Sequence, residues 1–141
     1  MKNLPKLFLA EDDAIFSMLM KRSLKKLGYD EQLVVFKNGQ ELLTEIKANT
    51  TSEEGLPDII LLDLNMPVMD GWQFLDAIIT FYDTLPKSID IYVLSSSIFT
   101  ADIEKAKKYK IVNDYLVKPV SREKLNEILA NLMDNKTNEL N

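Results

Sequence analysis

Cysteine and histidine are both absent from the 141 residues. That removes disulfides, thiolate nucleophiles, imidazole acid–base chemistry and the usual zinc ligands. What remains for chemistry is carboxylates, hydroxyls, lysine and hard, oxygen-seeking cations. Those groups stand in suggestive places. Glu11, Asp12 and Asp13 follow the apolar run KLFLA. Asp63 follows DIILL, with Leu64, Asn65, Met66 and Pro67 after it. Ser95, Ser96 and Ser97 follow a β-branched and aromatic run, and Lys118-Pro119 closes another. Two carboxylates about 5 Å apart repel by roughly 3 kcal/mol at an effective dielectric of 20. A divalent cation removes that penalty, and oxygen-only ligands of high charge suit Mg2+. A metal so held draws phosphates, and Lys118 and Ser95 would cradle the remaining phosphoryl oxygens. Asp63 could then be a nucleophile forming an aspartyl phosphate.

Each residue also has a plainer reading. Asp12 or Asp13 could cap a helix, Asp63 could stabilise a turn, and the serines could satisfy their own loop backbone. Their joint occurrence at successive strand ends carries the argument, because ligands in open α/β sheets bind outside the carboxyl ends of the strands.

The elements that must position these groups alternate between strand-like and helix-like stretches, which predicts an α/β fold with a parallel sheet. Strands are expected over 6–10, 33–36, 58–62, 89–94 and 112–117. Helices are expected over 14–27, 38–48, 70–82, 100–109 and 121–133. Gly28 reads as the stop of the first helix, Asn38 as the cap of the second, and Ser121 opens the last. Expected apolar stripes are Ile15, Met18, Leu19 and Leu24 on the first helix and Leu42, Leu43 and Ile46 on the second. The third offers Trp72, Leu75, Ile78 and Ile79, and the last Leu125, Ile128, Leu129 and Leu132. The length fits one domain, expected over 1–133 with 134–141 as a polar, frayed tail. A net charge of −5 argues against direct nucleic-acid binding. No apolar run reaches the roughly 18 residues of a membrane span, and no signal peptide is evident. A cytoplasmic setting is expected.

Four motifs, LAEDD at 9–13, LLDLNMPVMDGW at 61–72, VLSSS at 93–97 and YLVKP at 115–119, together resemble the receiver domain of two-component response regulators. The resemblance spans Lys6 to about Met133. It implies a flavodoxin-like, three-layer fold whose five-stranded parallel sheet has the order 2-1-3-4-5, flanked by five helices. It implies that Asp63 is the phosphoacceptor and that Asp12 and Asp13 position Mg2+, for which Mn2+ could substitute. Asn65 would add its backbone carbonyl to the metal. Lys118 would contact the phosphoryl group, Ser95 would be the switch hydroxyl, and Tyr115 the aromatic that turns with it. Ser96 fits the small position beside the phosphate. Pro67 and Gly71 suit the tight path into the third helix. Asn65 and Ser97 would flank the approach of water and tune the phosphoryl lifetime, giving moderately fast self-dephosphorylation.

The implied function is phosphorelay signal transduction. A histidine kinase or histidine phosphotransfer protein donates the phosphoryl group. The surface of the fourth helix, fifth strand and fifth helix then changes for a downstream partner. That fourth helix is expected to carry Lys105, Lys107, Lys108 and Lys110, either as a solvated face or as a patch for an acidic partner. The chain is then a regulator with weak self-catalysis rather than an enzyme. With only a polar tail after Met133, the signal is expected to leave through a partner or dimerisation. Two rivals are a degenerate receiver that binds partners without phosphorylation and a Mg-dependent aspartyl-phosphate phosphatase. The latter wants an acid where Asn65 stands.

Overall fold

The computed structural model describes residues 4–140. Five strands, β1 (Leu7–Ala10), β2 (Leu33–Phe36), β3 (Ile59–Asp63), β4 (Asp90–Ser95) and β5 (Val112–Val117), alternate with five helices. The helices are α1 (Ala14–Leu27), α2 (Gly39–Lys47), α3 (Gly71–Ile78), α4 (Thr100–Lys107) and α5 (Arg122–Leu140). All strand pairs are parallel and the sheet order is β2-β1-β3-β4-β5, as the family resemblance implies.

Both faces of the sheet are covered, so the central strands read as unbroken apolar runs. In β1, alternation sends Leu7 and Leu9 to one core and Phe8 and Ala10 to the other. The first core holds Met20 and Leu24 of α1 and Leu125, Ile128, Leu129 and Leu132 of α5. The second holds Leu42, Leu43 and Ile46 of α2 and Phe74, Leu75 and Ile78 of α3. Helix α4 contributes little, burying only Ala106.

The helix ends follow local chemistry. Asp13 caps α1, accepting from the Ile15 and Phe16 amides at 2.9 and 3.3 Å. Gly28 ends that helix at φ +87°, a left-handed conformation open to glycine. Asn38 caps α2 through Glu41 N at 2.9 Å. Ser121 Oγ accepts from Lys124 N at 3.0 Å at the start of α5.

Several boundaries and faces depart from the sequence expectation: β4 starts and ends one residue later than expected, and α4 stops at Lys107. Ile15, Met18 and Leu19 are exposed, Ile15 at 67 %, because α1 turns Met20 and Leu24 inward instead. Ile79 is likewise exposed, and α3 ends at Ile78, ahead of a 3-10 turn at Tyr82–Thr84. Tyr82 OH fixes that turn, donating to Ile89 O at 2.7 Å and accepting from Ile89 N at 3.0 Å. Strand β3 starts and ends one residue later than expected, so Asp63 is its final residue. Helix α5 runs on to Leu140, through most of the segment that reads as a polar tail.

Candidate functional site

The carboxyl ends of β1, β3, β4 and β5 meet at one rim. Glu11 leaves β1 and is 2 % exposed, while Asp12 beside it is exposed. Asp63, at the end of β3, is 4 % exposed. One carboxylate oxygen from each of Glu11, Asp12 and Asp63 lies within 4.8 Å of the others. At that spacing each pair of charges repels by roughly 3 kcal/mol at an effective dielectric of 20. Lys118, after β5, offsets part of this. Its Nζ lies 2.5 Å from Glu11 Oε1 and 3.4 Å from Asp63 Oδ1. The same ammonium sits 4.4 Å over the Phe16 ring, whose face favours a cation. Its backbone is anchored by Lys118 N donating to Ser95 O at 2.8 Å, and the Lys118–Pro119 bond is cis.

Burial pushes the Glu11 carboxyl up to about 7, and the neighbouring Asp63 adds to the rise. The hydrogen bonds from Lys118 and from Asp13 N act the other way. Burial alone would lower the Lys118 pKa. The Glu11 hydrogen bond and the Asp63 charge outweigh it and raise the ammonium above its usual range. The rim therefore keeps one fixed cation against carboxylates that crowd one another.

Sequence reasoning named Asp12 and Asp13 as the metal-positioning pair. The structure joins Asp12 to Glu11 instead. Asp13 spends its side chain on the first turn of α1, where two orphan amides need an acceptor. A signal for this existed. A helix starting at Ala14 wants an Asx residue immediately before it, and Asp13 fills that place.

The hydroxyls lie on the β4 side. Ser95 is buried, and its Oγ accepts from Ser97 N at 3.0 Å. The Ser95 proton has no acceptor among the described residues. Ser97 is tied on every side: its Oγ donates to Asp102 Oδ2 at 2.7 Å and accepts from Phe99 N at 3.2 Å. Its carbonyl accepts from Tyr115 OH at 2.9 Å. Ser97 thus links the β4–α4 loop to α4 and β5. Ser96 and Asn65 are exposed.

The loop from Asp63 to α3 is tightly folded. Gly71 N donates to Leu64 O at 3.1 Å, and a Cβ on Gly71 would lie 2.6 Å from Asp63 O. Val68 sits at φ +68°, a left-handed conformation that is costly for a β-branched residue. Asp70 and Gln73 close a reciprocal cap at the start of α3.

Comparison with known proteins agrees with this geometry. Residues 7–130 match the response regulator receiver domain family. The probable methanogenesis regulatory protein FilR2 of Methanothrix harundinacea is 28 % identical over 91 % of this chain and 81 % of its own length. The chemotaxis protein CheY1 of Helicobacter pylori is 29 % identical over 89 % of this chain and 97 % of its own. Among solved structures, the Francisella response regulator 1452 receiver domain superposes with a TM-score of 0.75 at 26 % identity, covering 94 % and 98 % of the two chains. The phosphorylated cyanobacterial phytochrome response regulator RcpA gives 0.72 at 30 % identity, covering 90 % and 89 %.

Proposed function

This chain belongs to the response regulator receiver domain family of two-component signalling, and on that premise we propose that Asp63 accepts a phosphoryl group from a histidine kinase or a histidine phosphotransfer protein. The carrying observation is the setting of Asp63, a buried strand-end carboxylate 3.4 Å from Lys118 Nζ and within 4.8 Å of the Glu11 and Asp12 carboxylates. Such a donor places the chain on the cytoplasmic side. In the transfer, an Asp63 carboxylate oxygen forms the new bond to phosphorus as the bond from phosphorus to the donor imidazole nitrogen breaks. That nitrogen keeps the electron pair. Lys118 moves from its carboxylate partners onto a phosphoryl oxygen, stabilising the charge of the transferring group.

Receiver domains bind Mg2+ through acidic residues, and this cluster fits that ion. Its donors are all oxygens, and they carry more negative charge than Lys118 balances. Asp12, Asp63 and the Asn65 backbone carbonyl would hold the ion, with Glu11 behind them paired to Lys118. Mn2+ would substitute. Bound Mg2+ supplies neutralisation of the carboxylates and of the phosphoryl oxygens. Asp13 has no part in that set.

Phosphorylation adds roughly two negative charges at the end of β3. Ser95 Oγ–H donates to a phosphoryl oxygen, and the Ser97 N–H bond to Ser95 is given up. Because Ser97 also holds Tyr115 OH and Asp102, the shift passes to β5 and α4. The response is a population shift between two arrangements of one fold, presented on the α4–β5–α5 surface to a partner protein. Asn65, exposed beside Asp63, orients the water that ends the signal, while Ser97, held by Asp102, leaves that approach open.

Ile15, Met18 and Leu19 are exposed on α1, the helix that follows the acidic residues. They offer an apolar face near the start of α1 on which the phosphodonor docks. A direct test is borohydride reduction after treatment with acetyl phosphate and Mg2+. The reduction converts an acyl phosphate on aspartate to homoserine. Homoserine at position 63 is expected, and homoserine only at another aspartate would overturn the assignment.

A further inference from the structure

Carboxylates are not the only groups that hold Lys118 at the rim. Its ammonium lies 2.5 Å from Glu11 Oε1 and 3.4 Å from Asp63 Oδ1, and it also lies 4.4 Å from the centre of the Phe16 ring. The face of an aromatic ring is the negative part of its quadrupole, so it attracts a cation. The Lys118 side chain is 18 % exposed, and little water competes for the same ammonium.

Local structure sets where that ring stands. Phe16 lies in the first turn of α1, where Asp13 Oδ1 accepts from its amide at 3.3 Å and Ser17 N donates to Asp13 O at 3.1 Å. The ring packs against the core that holds Leu7 and Leu9 of β1. Val120, just beyond Lys118 and Pro119, packs against the same core. The start of α1 and the chain leaving β5 are thus seated on one core, which brings the ring to the ammonium.

These partners of Lys118 fare differently when a phosphoryl group arrives. An Asp63 oxygen becomes bonded to phosphorus, and Glu11 competes with the phosphoryl oxygens for the same N–H donors. The ring neither titrates nor reacts, so its attraction for the ammonium persists throughout. The flexible stem of a lysine gives its ammonium many positions, and a fixed ring limits them to those at the rim. Given Asp63 as the phosphoacceptor, on which this rests, we propose that Phe16 is the positioning residue for Lys118. Its ring holds the ammonium in place while the N–H donors pass from the carboxylates to the phosphoryl group. Asp13, by capping the turn, sets where the ring stands.

Labelling of the full chain by acetyl phosphate with Mg2+ tests this, because that donor needs no docking face on α1. Phe16→Leu keeps apolar bulk but removes the ring face. It should be labelled about tenfold more slowly than the parent, equivalent to about 1.4 kcal/mol. Phe16→Tyr restores the face and should return the rate to within about twofold of the parent. A residue that served packing alone would give rates that follow melting temperature instead of the aromatic face. A second readout needs no phosphorylation. In NMR spectra of the metal-free protein, the ring current of Phe16 should move the Lys118 ε-methylene protons upfield in the parent and in Phe16→Tyr, but not in Phe16→Leu. Labelling absent from the parent would sink the Asp63 assignment, and the ring-current shift would then still decide whether Phe16 holds Lys118. Unshifted methylene protons in the parent, Phe16→Leu labelled as fast as the parent, or Phe16→Tyr as slow as Phe16→Leu would overturn the proposal.

Discussion

Burial pushes the Glu11 carboxyl up to about 7, and the sign of the consequence follows from linkage. Between its ordinary value of 4.5 and about 7, the folded chain holds a proton on Glu11 that the unfolded chain has released. The contribution of Glu11 therefore favours the folded state more as pH falls from about 7 toward 4.5. Urea denaturation of the metal-free protein should show Glu11→Gln gaining stability over the parent at about pH 7.5 and losing that advantage near about pH 5. An advantage independent of pH would mean that Glu11 is not held neutral by burial. The residue scale also shows where sequence reading stopped. That Asp63, Ser95 and Lys118 meet at one rim was legible because each is a polar group at the end of an apolar run. Three consecutive acids after β1 were not resolved by the same logic, since all three follow the strand. What separates them is the demand of α1 for a capping acceptor, which takes Asp13. Val68 is a further local matter. Its left-handed φ strains a β-branched side chain, so Val68→Gly should raise the melting temperature by about 3 °C, from roughly 1 kcal/mol of relieved strain. Unchanged or lowered stability would contradict that reading.

At the scale of elements, the loop between β3 and α3 is set by close backbone approach. A Cβ at Gly71 would lie 2.6 Å from Asp63 O and 2.9 Å from Leu64 Cα. Gly71→Ala should cost about 1–3 kcal/mol in denaturant titration and also slow labelling by acetyl phosphate, because the displaced backbone is that of Asp63. Destabilisation with labelling unaffected would uncouple the two. Helix boundaries set by side-chain caps, at Asp13, Asn38 and Ser121, were readable from sequence. The inward face of α1 was not, because Ile15, Met18, Leu19, Met20 and Leu24 run almost all around the helix. Only the docked sheet decides that Met20 and Leu24 face inward. The outward set then acquires a use. Replacing Ile15 and Met18 by serine should leave labelling by acetyl phosphate unchanged while slowing transfer from a phosphorylated histidine kinase about tenfold or more, as expected for lost apolar anchors at a docking face. Equal slowing with both donors would place the defect in the acceptor site instead.

At the scale of the whole molecule, two apolar cores lock the sheet between its helices, while α4 is joined more lightly. Its links run through polar and aromatic contacts. Tyr109, just past its end, bonds Asp76 at 2.6 Å, and Lys105 lies 4.3 Å over the Trp72 ring. Trp72 is the single tryptophan of the chain. Its fluorescence should therefore change on phosphorylation, and a spectrum identical with and without acetyl phosphate would contradict a shift of α4. The three-layer architecture was legible from the alternation of apolar runs and amphipathic stretches, and the strand order from the family motifs. The contact between Phe16 and Lys118 was not, because the start of α1 and the end of β5 are far apart in sequence and meet only on the folded sheet. Phosphorylation of Asp63 is read without ambiguity by intact mass. With acetyl phosphate and Mg2+, the chain should gain about 80 Da, one phosphoryl group, and Asp63→Ala should gain nothing. No gain in the parent chain, or the same gain in the variant, would contradict the account.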